Sequence, residues 1–340
     1  MLATVVIVTY DRPDSLRQTL TCVMQQKTNF PFTILVVDNH VESGLTPPVV
    51  ANLPNVHYLP GPGRGLCSGR NRALSVVDTE FIVWTNDDVI VGEHWMQQLI
   101  DQFTRPDIMV VCSQVKPLRV ETEAEQLFQK YGTLSKGPKH REFDLKWLSS
   151  WRKSPRTHTI GVGNSFATRT KCFQDPKVGL FNEAFGAGTV VGGADDQYFW
   201  YRVLKAGYTI VYEPTIVLYD RYENDLSSFY RKIFNYNKGM VAYELELIFR
   251  DHDLRGLIQL LIIIPSWRLR QFAKLMKSWL QEHRQPEYFP IFLRVLRGNL
   301  MGPLSWLIAH RNARQSMSTP SRFDYSEASW AKQGNQKGIG

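Results

Sequence analysis

Apolar and polar positions follow two different rhythms along this chain, and the switches between them lay out its elements. Fully apolar runs within residues 5–9, 34–38, 56–59 and 81–85 read as strands buried on both faces, since a strand with one wet face alternates with period two. Between them, residues 15–26 carry Leu16, Leu20, Val23 and Met24 at helical spacing. Residues 69–77 and 95–103 are read as helices too. Strand, helix, strand, helix in this order predicts an α/β fold: an open, mostly parallel twisted sheet flanked by helices. Ligands of such sheets gather at the carboxyl ends of the strands. Here those ends carry Tyr10-Asp11, Asp38-Asn39, the stretch 61–65 and Asn86-Asp87-Asp88.

Further along, residues 118–159 are polar, with one helix expected over 124–131. Order returns at Gly161, and Gly192-Gly193-Ala194-Asp195-Asp196 opens a helix running through Ala206. Strands at 210–212 and 216–219 complete a body of residues 1–225. Residues 226–311 read as a basic helical region, and 312–340 as a Ser/Gly/Gln-rich tail without fixed structure. No internal repeat is visible.

Charge sharpens that division. The 340 residues hold 40 Lys and Arg against 32 Asp and Glu, a net +8. Residues 1–225 carry 23 basic and 24 acidic side chains, whereas 226–311 carry 13 and 6. A near-neutral body argues against nucleic acid as its partner, because phosphate binding leaves a basic footprint. Four scattered cysteines (Cys22, Cys67, Cys112 and Cys172) lack CxxC spacing and read as buried thiols rather than a disulfide framework. The first residues lack a signal-peptide pattern, and the apolar run 257–264 falls well short of the roughly 20 residues that span a bilayer. A cytoplasmic protein is expected, placed at the inner face of the cell membrane.

Two acidic constellations carry the chemistry. Asn86-Asp87-Asp88 follows a buried strand, and adjacent acids in a ligand crevice call for a hard divalent cation; a loop acid capping the next helix is the alternative. Asp195-Asp196 opens a helix, where an acid is either a plain N-cap or a general base held ionised by the helix end. Gly61-Pro62-Gly63-Arg64-Gly65 has the wrong spacing and place for a dinucleotide fingerprint. It suits a turn whose backbone approaches a nucleotide, with Arg70 placed to touch a phosphate.

Together these segments resemble the family-two nucleotide-sugar glycosyltransferases. The stretch 6–16 is similar to the family's opening strand and turn, Val36-Val37-Asp38-Asn39 to its second strand, and Gly69-Arg70-Asn71 to its "ARN" segment. Asn86-Asp87-Asp88 fills the place of the metal-binding DxD, and the stretch from Gly193 to Arg202, followed by Ala206-Gly207-Tyr208, resembles "GxED…R…AGY". The resemblance implies a GT-A fold, Mg²⁺ or Mn²⁺, and transfer with inversion from a nucleoside-diphosphate sugar donor to a glycan or glycolipid acceptor. It places Thr9, Tyr10 and Asp38 at the base and ribose. Asp88 holds the metal with Asp87 beside it, Asp196 is the base, and Asp195 fills the preceding acidic place. Three departures stand out: Asn86 replaces the first DxD acid, His40-Val41 replaces the usual small residues, and Asp220 stands where some relatives carry a metal-binding His. Asp220 is read as a substitute ligand, with a solvent-facing turn acid as the alternative.

Among the aromatics, Phe199 and Trp200 are read as core, and Trp147 and Trp151 as loop anchors rather than an acceptor platform. In the basic region, Leu269, Phe272, Met276, Trp279 and Leu280 share one helical face while Arg270, Lys274 and Lys277 share the other. That is the pattern of an interfacial helix on an anionic membrane surface; packing against the body is the competing reading. A sugar-nucleotide nucleotidyltransferase is a weaker enzymatic alternative, since Thr9-Tyr10-Asp11-Arg12-Pro13 lacks that class's glycines. A basic adaptor binding membrane or polyanion is the non-enzymatic one.

Overall fold

A computed structural model describes residues 2–132, 134–150, 152–280 and 288–318. Trp151 and the tail beyond residue 318 lie outside these, as do the side chains of Trp279 and Leu280. Nine strands form one twisted sheet: β1 (Ala3–Thr9), β2 (Phe32–Asp38), β3 (Val56–Pro60), β4 (Phe81–Asn86), β5 (Val89–Val91), β6 (Ile108–Pro117), β7 (Arg141–Phe143), β8 (Ser165–Arg169) and β9 (Thr209–Asp220). Their order is β3-β2-β1-β4-β8-β6-β9-β5, with β7 on β9.

The half β3-β2-β1-β4 is parallel, as the alternation of strands and helices predicts. Beyond β4 the sheet is mixed, because β8 runs antiparallel between β4 and β6. No element was expected at β6. The two strands expected at 210–212 and 216–219 are one, β9, with an irregularity where its register against β6 shifts between Ser113 and Gln114.

Strand β1 shows why the apolar runs carry no alternation. Val5 and Ile7 face one core with Leu16, Leu20 and Val23 of helix Pro13–Met24, while Val6 faces the other with Trp84, Cys67 and Ala73. Both faces are covered, so residues 5–8 are apolar without a break. Phe199 and Trp200 sit in the second core, fully buried. Trp147 meets the Phe143 ring edge-on at 4.9 Å, which suits an anchor. Cys67, Cys112 and Cys172 are buried, and all four cysteines are free.

Strand direction decides where the site falls. In register, Thr9 pairs with Asp38, Val8 with Asn86, Thr85 with Ser165, and Pro117 with Asp220. The carboxyl ends of β1, β2, β4 and β9 therefore share one edge with the amino end of β8.

The C-terminal helices are built onto this body. Helix Leu226–Phe249 lies against the loop before Asp195: a Cβ on Gly239 would come 3.3 Å from the Gly193 backbone. Helix Tyr288–Ser318 comes equally close to it, since Cβ atoms on Gly298 and Gly302 would sit 2.6 Å from the Phe234 carbonyl oxygen and 2.5 Å from Val241. Buried Glu246 ties the assembly together, accepting from Asn182 Nδ2 (2.8 Å), Trp306 Nε1 (2.7 Å) and His310 Nε2 (2.6 Å). Residues 254–276 differ, leaving Leu261, Leu269, Phe272 and Met276 exposed. Among the described residues no helix is long and apolar enough to cross a membrane.

Candidate active site

At the shared edge lies a cavity of about 680 Å³, lined by Asp88, Asp195, Asp196 and Asp220 among others. Strand β4 delivers the first acid through Asn86-Asp87-Asp88, and the short strand β5 then turns the chain back onto β9. Asp87 is buried behind it, accepting from Thr9 Oγ1 at 2.6 Å and Arg12 Nη1 at 3.3 Å. Burial and the neighbouring Asp88 push its carboxyl up to about 6, against the pull of Arg12 and Thr9. Asp88 takes a 2.8 Å bond from Arg12 on Oδ2, while its Oδ1 is buried without a hydrogen-bond partner.

Asp220 closes β9 beside this pair. It is buried, accepts from Asn164 Nδ2, and its carboxyl is pushed up to about 8 by desolvation and then by Asp88. A solvent-facing turn acid is thereby ruled out. A buried carboxyl beside a second acid whose Oδ1 is buried without a partner is the environment a hard cation relieves. Among the described residues no cluster of three or more His, Cys, Asp or Glu is assembled, so Asp88 and Asp220 would leave further coordination positions to ligand oxygens and water.

Across the cavity, helix Asp195–Lys205 begins after Ala194, whose φ of +66° turns the chain sharply into the first helical residues. Asp196 Oδ2 accepts from the Gly163 amide at 3.1 Å and Oδ1 from the Gln197 amide at 2.7 Å. The helix end favours the carboxylate, yet burial and then Asp195 raise its pKa to about 6, with Lys136 pulling the other way. Such a carboxyl is ionised at neutral pH and still able to hold a proton briefly. Gly163 is required by this packing, since a Cβ there would sit 3.1 Å from the Asp196 Cβ.

Asp195 faces a different partner. Arg70, buried on helix Leu66–Leu74, donates to Asp195 Oδ2 at 3.0 Å and to the Gly163 carbonyl, and its guanidinium lies 5.3–6.0 Å from the rings of Phe181, Phe166 and Trp84. The side chain expected to touch a phosphate is thus committed beneath the site, orienting Asp195. Replacing Arg70 with Met strands a buried carboxylate and should cost about 3–5 kcal/mol of stability, measurable by urea unfolding.

The residues expected at the nucleotide lie on the neighbouring strand ends, outside this cavity. Tyr10 is exposed and stacks on His40 at 4.8 Å, and His40 Nδ1 meets Asp11 Oδ2 at 2.6 Å. Asp38 is fully buried beneath them, accepting from the His40 amide and the Tyr58 hydroxyl, both at 3.0 Å. The unusual His40 thus holds Asp38 through its backbone amide, while its ring goes to Tyr10 and Asp11. Thr9 acts on Asp87.

Several lining residues had no sequence signal. Arg12 and Asn164 reach the acids only through the fold, and Lys136 arrives from the polar middle segment. Arg231, Lys232, Asn235 and Tyr236 come from helix Leu226–Phe249, so the basic helical region supplies one wall.

The sheet order and the acids at one edge define a GT-A type architecture. Residues 4–172 match the family model "Glycosyl transferase family 2", and the chain carries a domain of that family. The hyaluronan synthase of Pasteurella multocida is 24% identical over 111 residues, 32% of this chain and 11% of that protein. Matched segments span between 11% and 29% of such curated relatives' own lengths. Among solved structures, the mannosyltransferase PcManGT from Pyrobaculum calidifontis, in complex with GDP-Man and Mn²⁺, superposes with a TM-score of 0.56 and 14% identity, covering 88% of this chain and 86% of that one. S. aureus TarS 1-349, in complex with UDP-GlcNAc, gives 0.54 and 16%, covering 93% and 92%.

Proposed function

We propose that the chain is a metal-dependent inverting glycosyltransferase, moving a sugar from a nucleoside-diphosphate donor to a hydroxyl of a glycan or lipid-linked glycan. The observation carrying this reading is that Asp88, Asp220 and Asp196 line one cavity at the carboxyl edge of a family 2 domain. The relatives' ligands, GDP-Man with Mn²⁺ and UDP-GlcNAc, support it.

Asp88 and Asp220 would hold Mg²⁺ or Mn²⁺, with Asp87 behind them fixing the loop. The bound cation supplies positive charge to the diphosphate oxygens as the leaving group becomes negative. Tyr10 offers an exposed ring for the base to stack on, and Asp38 is the acid that would meet the ribose. Asp196 takes the proton of the acceptor hydroxyl as that oxygen bonds to the anomeric carbon. The bond from that carbon to the diphosphate breaks on the opposite side, so configuration inverts. One carboxylate suffices, and Asp195, held by Arg70, keeps the helix end in place.

The test is a release assay for nucleoside diphosphate across sugar donors, with and without EDTA. Release from at least one donor, lost with EDTA and restored by Mn²⁺ or Mg²⁺, is expected. Turnover indifferent to EDTA refutes the metal assignment.

We further infer that the chain sits at an anionic membrane surface through residues 254–277, where exposed Leu261, Leu269 and Phe272 accompany Arg270, Lys274 and Lys277. The chain should float with vesicles containing about a third anionic lipid and stay behind with neutral ones. Leu261→Asp with Leu269→Asp should abolish flotation.

A further inference from the structure

A second cavity, of about 660 Å³, lies between helix Leu226–Phe249, the π-helical turn Gln259–Ile263 and residues 153–158. Its walls are mainly apolar, with Met240, Tyr243, Ile262, Ile263 and Trp267 as the large side chains. His158 and Gln197 line it and the acidic cavity alike, so the two adjoin one residue from Asp196.

Three features make it a built site rather than a packing gap. Lys153, Arg156 and Arg270 line it, and none forms an ion pair among the described residues. Glu244, 4% exposed, lines the interior, and the buried Ser154 hydroxyl interacts with its carboxyl. One hydroxyl leaves a buried carboxyl with capacity to bond a ligand oxygen. Burial also pushes the Glu244 carboxyl up to about 8, so at neutral pH it stands ready to donate to a ligand oxygen. Finally, Ile262 and Trp267 belong both to this lining and to the exposed apolar surface of residues 254–276. The chamber is therefore continuous with that surface.

We propose that this second cavity is the acceptor subsite, and that it takes an acceptor carried on a phosphate-bearing apolar chain. The chain lies against Met240, Ile262, Ile263 and Trp267, and Lys153, Arg156 and Arg270 meet the phosphate. Glu244 and Ser154 bind an oxygen of the headgroup, leaving the acceptor hydroxyl to pass His158 and Gln197 toward Asp196. Apolar walls beside three unpaired cations fit an amphiphilic anion better than a neutral glycan, for which those charges would have no counterpart. The assignment rests on the glycosyltransferase reading for its role and on binding alone for its test.

The test is calorimetric titration of the full chain, without donor or metal, using farnesyl phosphate below its micelle concentration, farnesol and inorganic phosphate. Farnesyl phosphate should bind at least about tenfold more tightly than farnesol, a charge-assisted margin, and inorganic phosphate should not bind detectably. Arg156→Ser with Arg270→Ser, both exposed positions, should remove that margin and leave farnesol unchanged. Ser266→Trp, which fills the chamber, should abolish binding of both lipids while the thermal midpoint stays in place. No farnesyl phosphate binding by the wild type overturns the proposal. So does binding indifferent to the arginine pair, or inorganic phosphate binding as tightly. Donor hydrolysis by the wild type separates the two levels: its absence refutes the glycosyltransferase reading, whereas its presence without lipid binding refutes the subsite alone.

Discussion

Replacing Asp196 with Asn should lower kcat by about 10³-fold while leaving donor affinity within about twofold, because only the proton acceptor is removed. The amide keeps the shape of the side chain, and its oxygen can still accept from the Gln197 amide, although the bond from the Gly163 amide is lost. The pH profile separates this from a structural defect. The Asp196 carboxyl is raised to about 6 by burial and then by Asp195, and only its ionised form can take a proton. For the wild type, kcat/KM should therefore fall as pH drops through about 6, tenfold per unit below it. The Asn variant cannot titrate, so its residual rate should lose that limb. Steady-state kinetics between pH 5 and 8 in both proteins check the assignment, and a variant as fast as wild type refutes it.

Asp88→Ala should be as damaging by another route, cutting kcat/KM by roughly 10²–10³-fold, the scale of losing one electrostatic stabiliser of a developing charge. Donor affinity should fall with it, because Asp88 and Asp220 are the acids proposed to hold the cation under the diphosphate. Asp220→Asn tests the pairing. It keeps a hydrogen-bond acceptor for Asn164 but removes the carboxyl that would ionise to hold the cation beside Asp88. A chain with both acids should gain thermal stability when Mn²⁺ and a nucleoside diphosphate are added together. Neither single variant should gain it. Equal stabilisation of Asp220→Asn and wild type would show that Asp220 merely lines the pocket.

The parts of the site legible in the chain are those whose residues sit where a strand ends. Strands β1, β2 and β4 each hold an unbroken apolar run because both sheet faces are covered, so the polar residues that end those runs stand out. Asp88 and Asp196 could be singled out for this reason, one after a buried strand and one opening a helix. Arg70 shows where such reading stops. Its position in the chain suits a phosphate contact, but its pairing with Asp195 joins residues 125 apart, and nothing local marks that choice. His40 likewise looks like a substitution among small residues, whereas its stacking on Tyr10 and its contact with Asp11 are consequences of β1 and β2 being neighbours.

By itself, then, the sequence determined the parallel half of the sheet, the acids at its edge and the split between a neutral body and a basic helical extension. Periodicity and local charge are properties of consecutive residues, and they survive without knowledge of what packs on what. Only the tertiary structure decided that β8 runs antiparallel and brings Asn164 to Asp220. It alone decided that Asp220 is buried beside Asp88, that Arg70 faces inward, and that helix Leu226–Phe249 closes the cavity wall. Each of these depends on long-range packing: the order of strands, or the close approach that Gly239, Gly298 and Gly302 permit. Arg270 of the extension gained a location in the same way, meeting Lys153 and Arg156 of the body at a chamber that adjoins the acids.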